Sequence, residues 1–374
     1  MREPTPLVSL RALHSQPEPD AVLVLRFSAL GDVVLTSPSI SALHKAWPNA
    51  KIVYAIKERL VSLVEHNPDV SGIVALKNGE GPWSFSRRLK KLLAGKRVVL
   101  LDLHGKIRSR LLRALLPRDW RRVVWTKREF GDTIPVKLAL RPYRATMLFA
   151  DRYHAAVEEA VGRKLPRGEL RAFPGPAAGL HAKQILLAKN ITLDLPIVGM
   201  SPGANWETKR WPAERYGALA KKVLESGAQV VVQGSADERQ ICAQVCAIAR
   251  DVKGVDGVVR SALDLSGQLD LPALNGLVSL CAAFVANDSG PMHLARALQV
   301  PTLAMFGSTD PGMFSWEGHR VMFREGLECA PCSFFGRRRC PRGHFRCMTG
   351  LEPDDAWSAL QGLLAGGARA PLSA

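Results

Sequence analysis

The stretch of residues 21–47, AVLVLRFSALGDVVLTSPSISALHKAW, constrains the fold of this chain more than any other. It begins with an unbroken aliphatic run, which is typical of a parallel strand that is covered on both faces. Gly31 then allows a sharp turn into a helical segment, and Asp32 lies at the carboxyl end of the strand. Ligands bind at this edge of open α/β sheets, so Asp32 is a candidate functional residue. A helix-capping role is the alternative interpretation of the same carboxylate.

The alternation of strands and helices continues along the chain in two series. In the first series the apolar runs predict strands at 21–26, 51–56, 72–76, 97–103 and 123–126. In the second series they predict strands at 197–201, 229–233, 283–286 and 302–306. Helical segments between strands at this spacing indicate right-handed βαβ units. The sequence therefore predicts an α/β protein with two Rossmann-like, doubly wound parallel-sheet domains that face a central cleft.

The length of 374 residues suits two domains of comparable size. The Pro-containing start predicts a flexible tail, and a stretch rich in Pro, Gly and Ala predicts a linker. The last helix, at 353–364, is expected to fold back across the domain junction. The expected division is an N-terminal tail at 1–20, a first domain at 21–165, a linker at 166–194, a second domain at 195–352, and a C-terminal helix and tail at 353–374.

The net charge of +17 predicts an anionic partner. Between residues 87 and 128 there are fifteen Lys and Arg residues against only Asp102 and Asp119. Such a field suits nucleic acid, an anionic membrane or a phosphorylated substrate. No nucleic-acid-binding motif accompanies it and aromatic residues are sparse there, so a glycolipid or membrane surface is favoured and no nucleic-acid partner is expected.

The cellular location is expected to be the cytoplasm. No apolar run reaches the length that spans a bilayer, and residues 1–20 carry prolines and charges where a signal peptide would need an apolar core. The odd count of seven cysteines fits a reducing compartment better than a disulfide framework.

Two loops of the second domain have the composition of a phosphate and ribose site. The first, residues 201–212, combines small residues with Lys209 just before a helix, so its backbone N–H groups and the ammonium could hold a diphosphate. The second, residues 234–238, places Glu238 where a carboxylate could accept hydrogen bonds from a ribose. A solvated surface loop and a carboxylate favoured by the helix dipole are the respective alternatives.

The third loop, residues 287–295, reads NDSGPMHLA between a strand and a helix. Ser289 and Gly290 free the backbone to face a ligand, and Pro291 suits the first helical position. His293 lies in the first turn and is expected to point towards the cleft. An anion would be held at this helix start, whereas Asp288 suits sugar hydroxyls better than phosphate. A capped helix with an ordinary histidine is the alternative.

A Cys-rich loop at 329–347 offers Cys329, Cys332, Cys340 and Cys347. Four thiolates could bind a structural zinc ion, although the second pair lacks the usual two-residue spacing. Reduced thiols or a labile disulfide are the other possibilities, so the sequence leaves a metal site open.

These motifs together resemble the lipopolysaccharide heptosyltransferases, which are family 9 glycosyltransferases with the two-Rossmann GT-B architecture. The resemblance rests on SALGD at 28–32, SPGA at 201–204 with KRWP at 209–212, NDSGPMH at 287–293 and FGSTDP at 306–311. It covers roughly residues 21–364 with the motifs in family order. Similar Cys-containing tails occur in members of the heptosyltransferase II type.

The resemblance implies an inverting transfer of L-glycero-D-manno-heptose from ADP-heptose to the inner core of lipopolysaccharide, with no cofactor. The first domain would hold the acceptor and the second the nucleotide sugar. Asp32 matches the general base, and Lys209 matches the lysine on the donor phosphates. The donor-binding positions are Ala204, Asn205, Glu238, Leu269, Asp288, Ser289, Gly290 and His293. Asn205 falls where some members have a phosphate-contacting threonine, so that contact is in doubt.

The resemblance also implies an acceptor site at the end of a first-domain strand, with His104, Lys106 and Arg108 facing acidic or phosphorylated sugars. A solvated basic helix is the alternative. The expected location is then peripheral to the cytoplasmic face of the anionic inner membrane. The competing functions are transfer of another nucleotide-activated sugar and a non-catalytic membrane- or glycolipid-binding role. A dehydrogenase is disfavoured because the first turn lacks a GxGxxG motif.

Overall fold

A computed structural model describes residues 16–125, 144–145 and 147–366 of the chain. The tail predicted at 1–20 is therefore covered only from residue 16, and the last part of the predicted C-terminal tail, 367–374, lies outside the described residues. So does Thr126, the end of one predicted strand. Within the described residues, no helix combines the length and the apolar character needed to cross a membrane.

The first sheet has five parallel strands in the order β3-β2-β1-β4-β5. Strand β1 lies at the centre and is completely buried, as its unbroken aliphatic sequence predicts. The strands are β1 Ala21–Leu25, β2 Lys51–Lys57, β3 Gly72–Leu76, β4 Val98–Asp102 and β5 Arg121–Val124.

Helices cover both faces of the first sheet. They are α1 Leu30–Val34, α2 Ser37–Ala46, α3 Pro82–Leu92, α4 Ile107–Leu115 and α5 Phe149–Val161. α3 and α4 pack with one set of strand side chains, whereas α1, α2 and α5 pack with the opposite set. A 3₁₀ turn at Glu58–Leu63 follows β2, where the sequence predicts one of the helical segments between strands.

The single helix predicted after the first turn is in fact two helices, so that prediction was wrong. α1 ends at Val34, and α2 begins at Ser37 with Pro38 in its first turn. Proline has no N–H to donate to the preceding turn, so it is tolerated at a helix start but not inside a continuous helix.

The second sheet has six parallel strands in the order β10-β7-β6-β11-β12-β13. A separate two-stranded antiparallel ribbon is formed by β8 and β9. The strands are β6 Ile197–Ser201, β7 Gln229–Val232, β8 Val252–Lys253, β9 Val259–Arg260, β10 Leu263–Asp264, β11 Ala283–Asn287, β12 Thr302–Phe306 and β13 Arg320–Phe323. The predicted α/β class with two parallel sheets is confirmed.

The helices of the second half are α6 Pro176–Ala188, α7 Ala213–Glu225, α8 Arg239–Ile248, α9 Leu271–Leu280, α10 Gly290–Ala297, α11 Arg346–Thr349 and α12 Pro353–Gly366. The segment 166–194, expected to be a linker, contains α6. This helix packs closely on α9, where Gly276 leaves room for the backbone of Ala178. Pro176 at the helix start suits the first turn.

The last helix does not cross between the two halves as expected. α12 packs on α7 and on strands of the second sheet. Its buried residues Ala356, Leu360 and Leu363 join a core cluster made of second-half residues. The apolar positions three and four residues apart explain this packing, because they form one stripe that the second sheet can cover.

The two halves meet where the turn after β1 faces the turn after β11. α1 packs against α10, and Gly31 lies against the ring of His293. A further contact joins the Ala145 backbone N–H to the Asp310 carboxylate at 2.7 Å. The carboxyl ends of β1 and β11 therefore face each other across one cleft.

Candidate functional site

The cleft between the halves has a volume of about 600 Å³. Strand-end loops from both sheets line it, as expected for parallel sheets whose carboxyl edges face each other. The structure brings together ten residues that the sequence singled out. They are Asp32, Ala204, Asn205, Lys209, Glu238, Leu269, Asp288, Ser289, Gly290 and His293.

Asp32 is held by three donors at the start of α1. One carboxylate oxygen accepts the backbone N–H of Ala29 at 3.1 Å and pairs with the Arg26 guanidinium. The other oxygen accepts the hydroxyl of Tyr153 at 3.3 Å. The Asp32 side chain nevertheless remains 27% exposed towards the cleft. Helix capping and access to a ligand are thus combined in one carboxylate.

Arg26 and Tyr153 support Asp32 from below the cleft floor. Arg26 is only 2% exposed and donates a second hydrogen bond, 2.6 Å, to the Leu103 carbonyl. Its guanidinium lies over the Tyr153 ring, 5.3 Å from the ring centre. Burial, reinforced by the negative charge of Asp32, raises the pKa of Tyr153 well above its usual value. Tyr153 is therefore a permanent hydroxyl donor at neutral pH.

On the opposite wall, Lys209 is paired with Asp288. The ammonium lies 2.6 Å from the carboxylate, and the Thr309 hydroxyl donates to the same oxygen at 2.7 Å. Burial on its own raises the pKa of Asp288, but the Lys209 and His293 interactions outweigh it, so the pKa lies below the usual value. The pair presents a buried, nearly neutral patch with an ammonium that can still reach a ligand.

His293 forms the contact between the two walls. Its ring packs edge-on against Phe314, with 4.7 Å between ring centres, and its Nδ1 lies 3.5 Å from the Arg296 guanidinium. Burial, with the neighbouring Arg296 charge, lowers the pKa of His293 to about 3. The imidazole is therefore neutral at physiological pH. It supplies shape and a hydrogen-bonding nitrogen near Asp288 rather than a positive charge.

The start of α10 opens onto the cleft between these walls. Ser289 precedes the helix in an extended conformation, and Pro291 lies in its first turn. Among the described residues, the buried Ser289 hydroxyl has no hydrogen-bond partner. The first N–H groups of a helix have no partner inside it and carry partial positive charge. This corner can therefore receive an anionic group.

The first loop of the second half is anchored from below by Asn287. Its amide accepts the Trp211 backbone N–H at 2.9 Å and donates to the Pro202 carbonyl at 2.8 Å. Ala204 is buried on the cleft wall and Asn205 is exposed at its rim. The buried amide thus ties the loop that carries Ala204 to the strand that precedes α10.

Glu238 and Leu269 both line the cleft. The Glu238 carboxylate accepts the Ser235 backbone N–H at 2.8 Å and lies against Gly203. A side chain at position 203 would overlap that carboxylate, so glycine is required for the approach. Leu269 is a half-buried apolar residue of the same lining. A polar edge next to an apolar wall suits a ribose and a flat base.

The predicted acceptor residues lie in a second pocket of about 510 Å³. His104, Lys106 and Arg108 line it together with Lys57 and Arg110. Phe27 packs edge-on against His104, whose pKa falls to about 4 through burial and the nearby Arg26 charge. This pocket adjoins the cleft, because Ser28 lines the pocket and Ala29 lines the cleft.

The four cysteines of the Cys-rich loop are free thiols. Cys329 contacts His344 at 3.5 Å, and burial raises the pKa of Cys347 to about 12. Across the described residues, which include this loop, no three His, Cys, Asp or Glu side chains are arranged to hold a metal ion. None of the four cysteines forms a disulfide in this arrangement.

Several residues that support or line the cleft were not found from the sequence. Arg26 interrupts an apolar strand end, and this buried cation beside an acidic turn was an available signal. Tyr153 is 121 positions away from Asp32, and Thr309 is 21 positions from Asp288, so no local pattern connects them. The cleft also includes the aromatic side chains Phe334 and Phe335 from the edge of the Cys-rich loop.

The similar curated proteins include several lipopolysaccharide heptosyltransferases. Lipopolysaccharide heptosyltransferase 1 of Pseudomonas aeruginosa is 28% identical over 83% of this chain and 85% of its own length. Lipopolysaccharide heptosyltransferase 2 of Salmonella typhimurium is 26% identical over 78% of this chain and 83% of its own length. The relatives thus include more than one heptosyltransferase type.

Solved structures with a similar fold include a member of glycosyltransferase family 9. The crystal structure of a family 9 glycosyl transferase from Veillonella parvula superimposes with a TM-score of 0.75 at 20% identity, covering 93% of this chain and 98% of that one. The arrangement of two facing parallel sheets is therefore that of the GT-B glycosyltransferases. Residues 87–338 match the model of glycosyltransferase family 9 (heptosyltransferase). The chain is a glycosyltransferase and belongs to this family.

Proposed function

We propose that this protein transfers L-glycero-D-manno-heptose from ADP-heptose to the inner core of lipopolysaccharide with inversion at the anomeric carbon. The observation that carries the proposal is the position of Asp32 on one wall of the cleft, opposite the Lys209–Asp288 pair on the other. A base and an anion site face each other across a space large enough for a nucleotide sugar.

The donor would lie along the second half. The apolar side chain of Leu269 and the Glu238 carboxylate suit the adenosine, while Lys209 and the start of α10 suit the two phosphates. The free hydroxyl of Ser289 adds one further donor. Asp288 lies next to Lys209 and would accept hydrogen bonds from the heptose hydroxyls once the ammonium turns towards phosphate.

The chemistry is a single displacement. An acceptor hydroxyl attacks the anomeric carbon, the bond from that carbon to the ADP oxygen breaks, and the hydroxyl proton passes to Asp32. Arg26 and Tyr153 keep this carboxylate oriented before the proton arrives. Negative charge that develops on ADP is stabilised by Lys209 and the helix dipole of α10.

The acceptor would approach from the first half through the pocket beside Ser28. Cations at Lys57, Lys106 and Arg108 suit the phosphates or acidic sugars of an inner core. We therefore assign residues 21–165 to the acceptor and residues 195–352 to the donor. A lipid-linked acceptor would be reached at the cytoplasmic face of the inner membrane, and this is the location that we propose.

The test is ADP release from ADP-heptose with purified protein. We expect release only when a heptose-deficient lipopolysaccharide is added, and the acceptor that gives the highest rate identifies which heptose is added. Release that does not require any acceptor would contradict transfer. ADP binding without release on any acceptor would instead favour a family relative that uses another nucleotide-activated sugar.

A further inference from the structure

Helices α3 and α4 form the layer that covers one face of the first sheet. Their inner sides carry Phe85, Leu89 and Leu112, which pack in one cluster with strand side chains. The two helices also pack against each other. Their outer sides therefore form one continuous surface, and no part of the described chain covers its most exposed side chains.

This surface carries more cationic than anionic side chains. Between residues 82 and 117 the only acidic residue is Asp102, which is fully buried and pairs with Arg113. Glu80, just before α3, is already paired with Arg88. Arg97 is paired with Asp20. Among the described residues no carboxylate pairs with the remaining exposed cations of this segment. These cations are Arg87, Lys90, Lys91, Lys106, Arg108 and Arg110.

Large apolar side chains stand among these cations. Trp83 and Leu92 on α3 are 69% and 50% exposed, and Ile107 and Leu111 on α4 are 75% and 55% exposed. Ile107 and Leu111 are one helical turn apart and therefore lie on the same side of α4. Of the eight tryptophans, all of which are described, Trp83 alone is exposed rather than buried or half-buried.

We propose that the outer face of α3 and α4 docks on an anionic lipid bilayer. Cations attract the lipid headgroups, while Trp83 and the aliphatic side chains enter the boundary between headgroups and acyl chains. Nucleic acid would use the cations but has no partner for Ile107 and Leu111. The surface, defined by Trp83, Arg87, Lys90, Lys91 and Leu111, is here named the α3–α4 face.

The position of the acceptor pocket supports docking of the bilayer on the α3–α4 face. Ile107, Arg108 and Arg110 lie at the start of α4 and line that pocket, so its mouth adjoins the α3–α4 face. An acceptor with acyl chains in the bilayer could then extend its anionic sugars into the pocket without leaving the membrane. This step rests on the proposed function, whereas membrane docking itself does not.

The experiment measures co-sedimentation of the full chain with vesicles. Vesicles of phosphatidylcholine alone are compared with an equal mixture of phosphatidylcholine and phosphatidylglycerol. We expect binding only to the anionic vesicles, and an approximately 100-fold lower partition coefficient for the triple variant R87Q/K90Q/K91Q. The matched control is K189Q/K221Q/K253Q, which removes three exposed cations from the second half and should bind like the parent.

A second readout locates the contact. Brominated acyl chains quench tryptophans that reach the bilayer, so Trp83→Phe should remove the lipid-dependent part of the quenching. Equal losses of binding in both triple variants would overturn the proposal, since attraction would then depend on net charge alone. Failure of the parent to bind anionic vesicles would also overturn it, as would lipid-dependent quenching that persists in full in the Trp83→Phe variant.

Activity separates this proposal from the proposed function. R87Q/K90Q/K91Q should release ADP at the parental rate with a deacylated, water-soluble acceptor, but should lose at least about ten-fold with the acceptor embedded in anionic vesicles. Absence of transfer with both acceptors in the parent would reject the proposed function and leave the vesicle result intact. Equal activity of variant and parent on embedded acceptor would reject a role for docking.

Discussion

Asp32 has the surroundings of a carboxylate that must stay in one orientation while one of its oxygens is used. Arg26 and the Ala29 N–H hold one oxygen, and the Tyr153 hydroxyl donates to the other. An exposed aspartate would lose this orientation through free rotation of its side chain. These contacts leave the Asp32 carboxylate accessible, because it still lines the cleft.

Replacing Asp32 with Asn tests its role as a base. The amide keeps an oxygen that can accept from Ala29 or Tyr153, but it cannot take up a proton at neutral pH. We expect kcat to fall by about 10²–10⁴-fold, while ADP affinity, which depends on the second half, changes little. Initial rates of ADP release and calorimetric titration with ADP measure the two quantities.

The control for this substitution is Asp237→Asn, an exposed carboxylate outside the cleft lining. It should leave kcat unchanged. Asp32→Asn also deprives the buried Arg26 of its carboxylate and should lower the free energy of unfolding by about 3 kcal/mol. If kcat fell only as far as the folded fraction did, Asp32 would be a structural partner of Arg26 and not the base.

The strand-and-turn pattern was sufficient to place Asp32, Lys209 and Asp288 at strand ends, and the structure brings them into one cleft. It was not sufficient to pair Lys209 with Asp288, which lie on different loops. Local periodicity reports which face of an element is buried, whereas a partner such as Tyr153 is chosen by tertiary packing. The catalytic and binding roles of these residues remain proposals that the experiments address.

Among secondary-structure elements, buried central strands were the most predictable. The bounds predicted for Ile197–Ser201 and Thr302–Phe306 agree with the structure, because uninterrupted apolar runs that are buried on both faces allow few alternatives. The edge strand Arg320–Phe323 was missed. It pairs on one side only and is half-exposed, so its sequence carries no strong burial pattern.

The contact between α1 and α10 has almost no spare volume. A Cβ atom at Gly31 would lie 2.5 Å from Cδ2 of His293, well inside the normal contact distance. Gly31→Ala must therefore separate the two helices and move Asp32 away from the donor wall. We expect kcat to fall about 100-fold, since displacements near 1 Å at a reacting centre have effects of this size. ADP affinity should change less than kcat.

Gly179→Ala in α6 is the matched substitution, because nothing lies within 4 Å of the added methyl group. It should keep parental kcat and raise the free energy of unfolding by about 0.5–1 kcal/mol through reduced backbone entropy of the unfolded chain. Steady-state kinetics and urea unfolding of both variants provide the comparison. A Gly31→Ala variant with normal kcat would mean that the two walls need not touch during catalysis.

Across the whole chain, the charge and the core have opposite distributions. Among the described residues, exposed cations without a carboxylate partner lie on the outer helices of the first half, while His293 is buried at the contact between the halves. The composition predicted an anionic partner but could not predict how the halves meet. That arrangement depends on shape, as the close approach of Gly31 to His293 demonstrates.

The buried histidines predict that the folded protein loses stability in mild acid. Burial is the main cause that lowers the pKa of His104 and His319 to about 4 and that of His293 to about 3. In the unfolded chain each would have a pKa of about 6.5. Below that pH the unfolded chain binds protons that the folded protein does not, so acid favours unfolding.

The expected fall in the free energy of unfolding follows from this linkage between folding and proton binding. Each histidine contributes up to about 1.4 kcal/mol per pH unit below 6.5, so the free energy of unfolding should fall by about 4 kcal/mol between roughly pH 7.5 and 5.5. Urea unfolding across this range measures the slope. His319→Asn, which is outside the cleft lining, should reduce the slope by about one third. An unchanged slope in that variant would show that His319 is protonated in the folded protein, and a flat profile in the parent would show the same for all three.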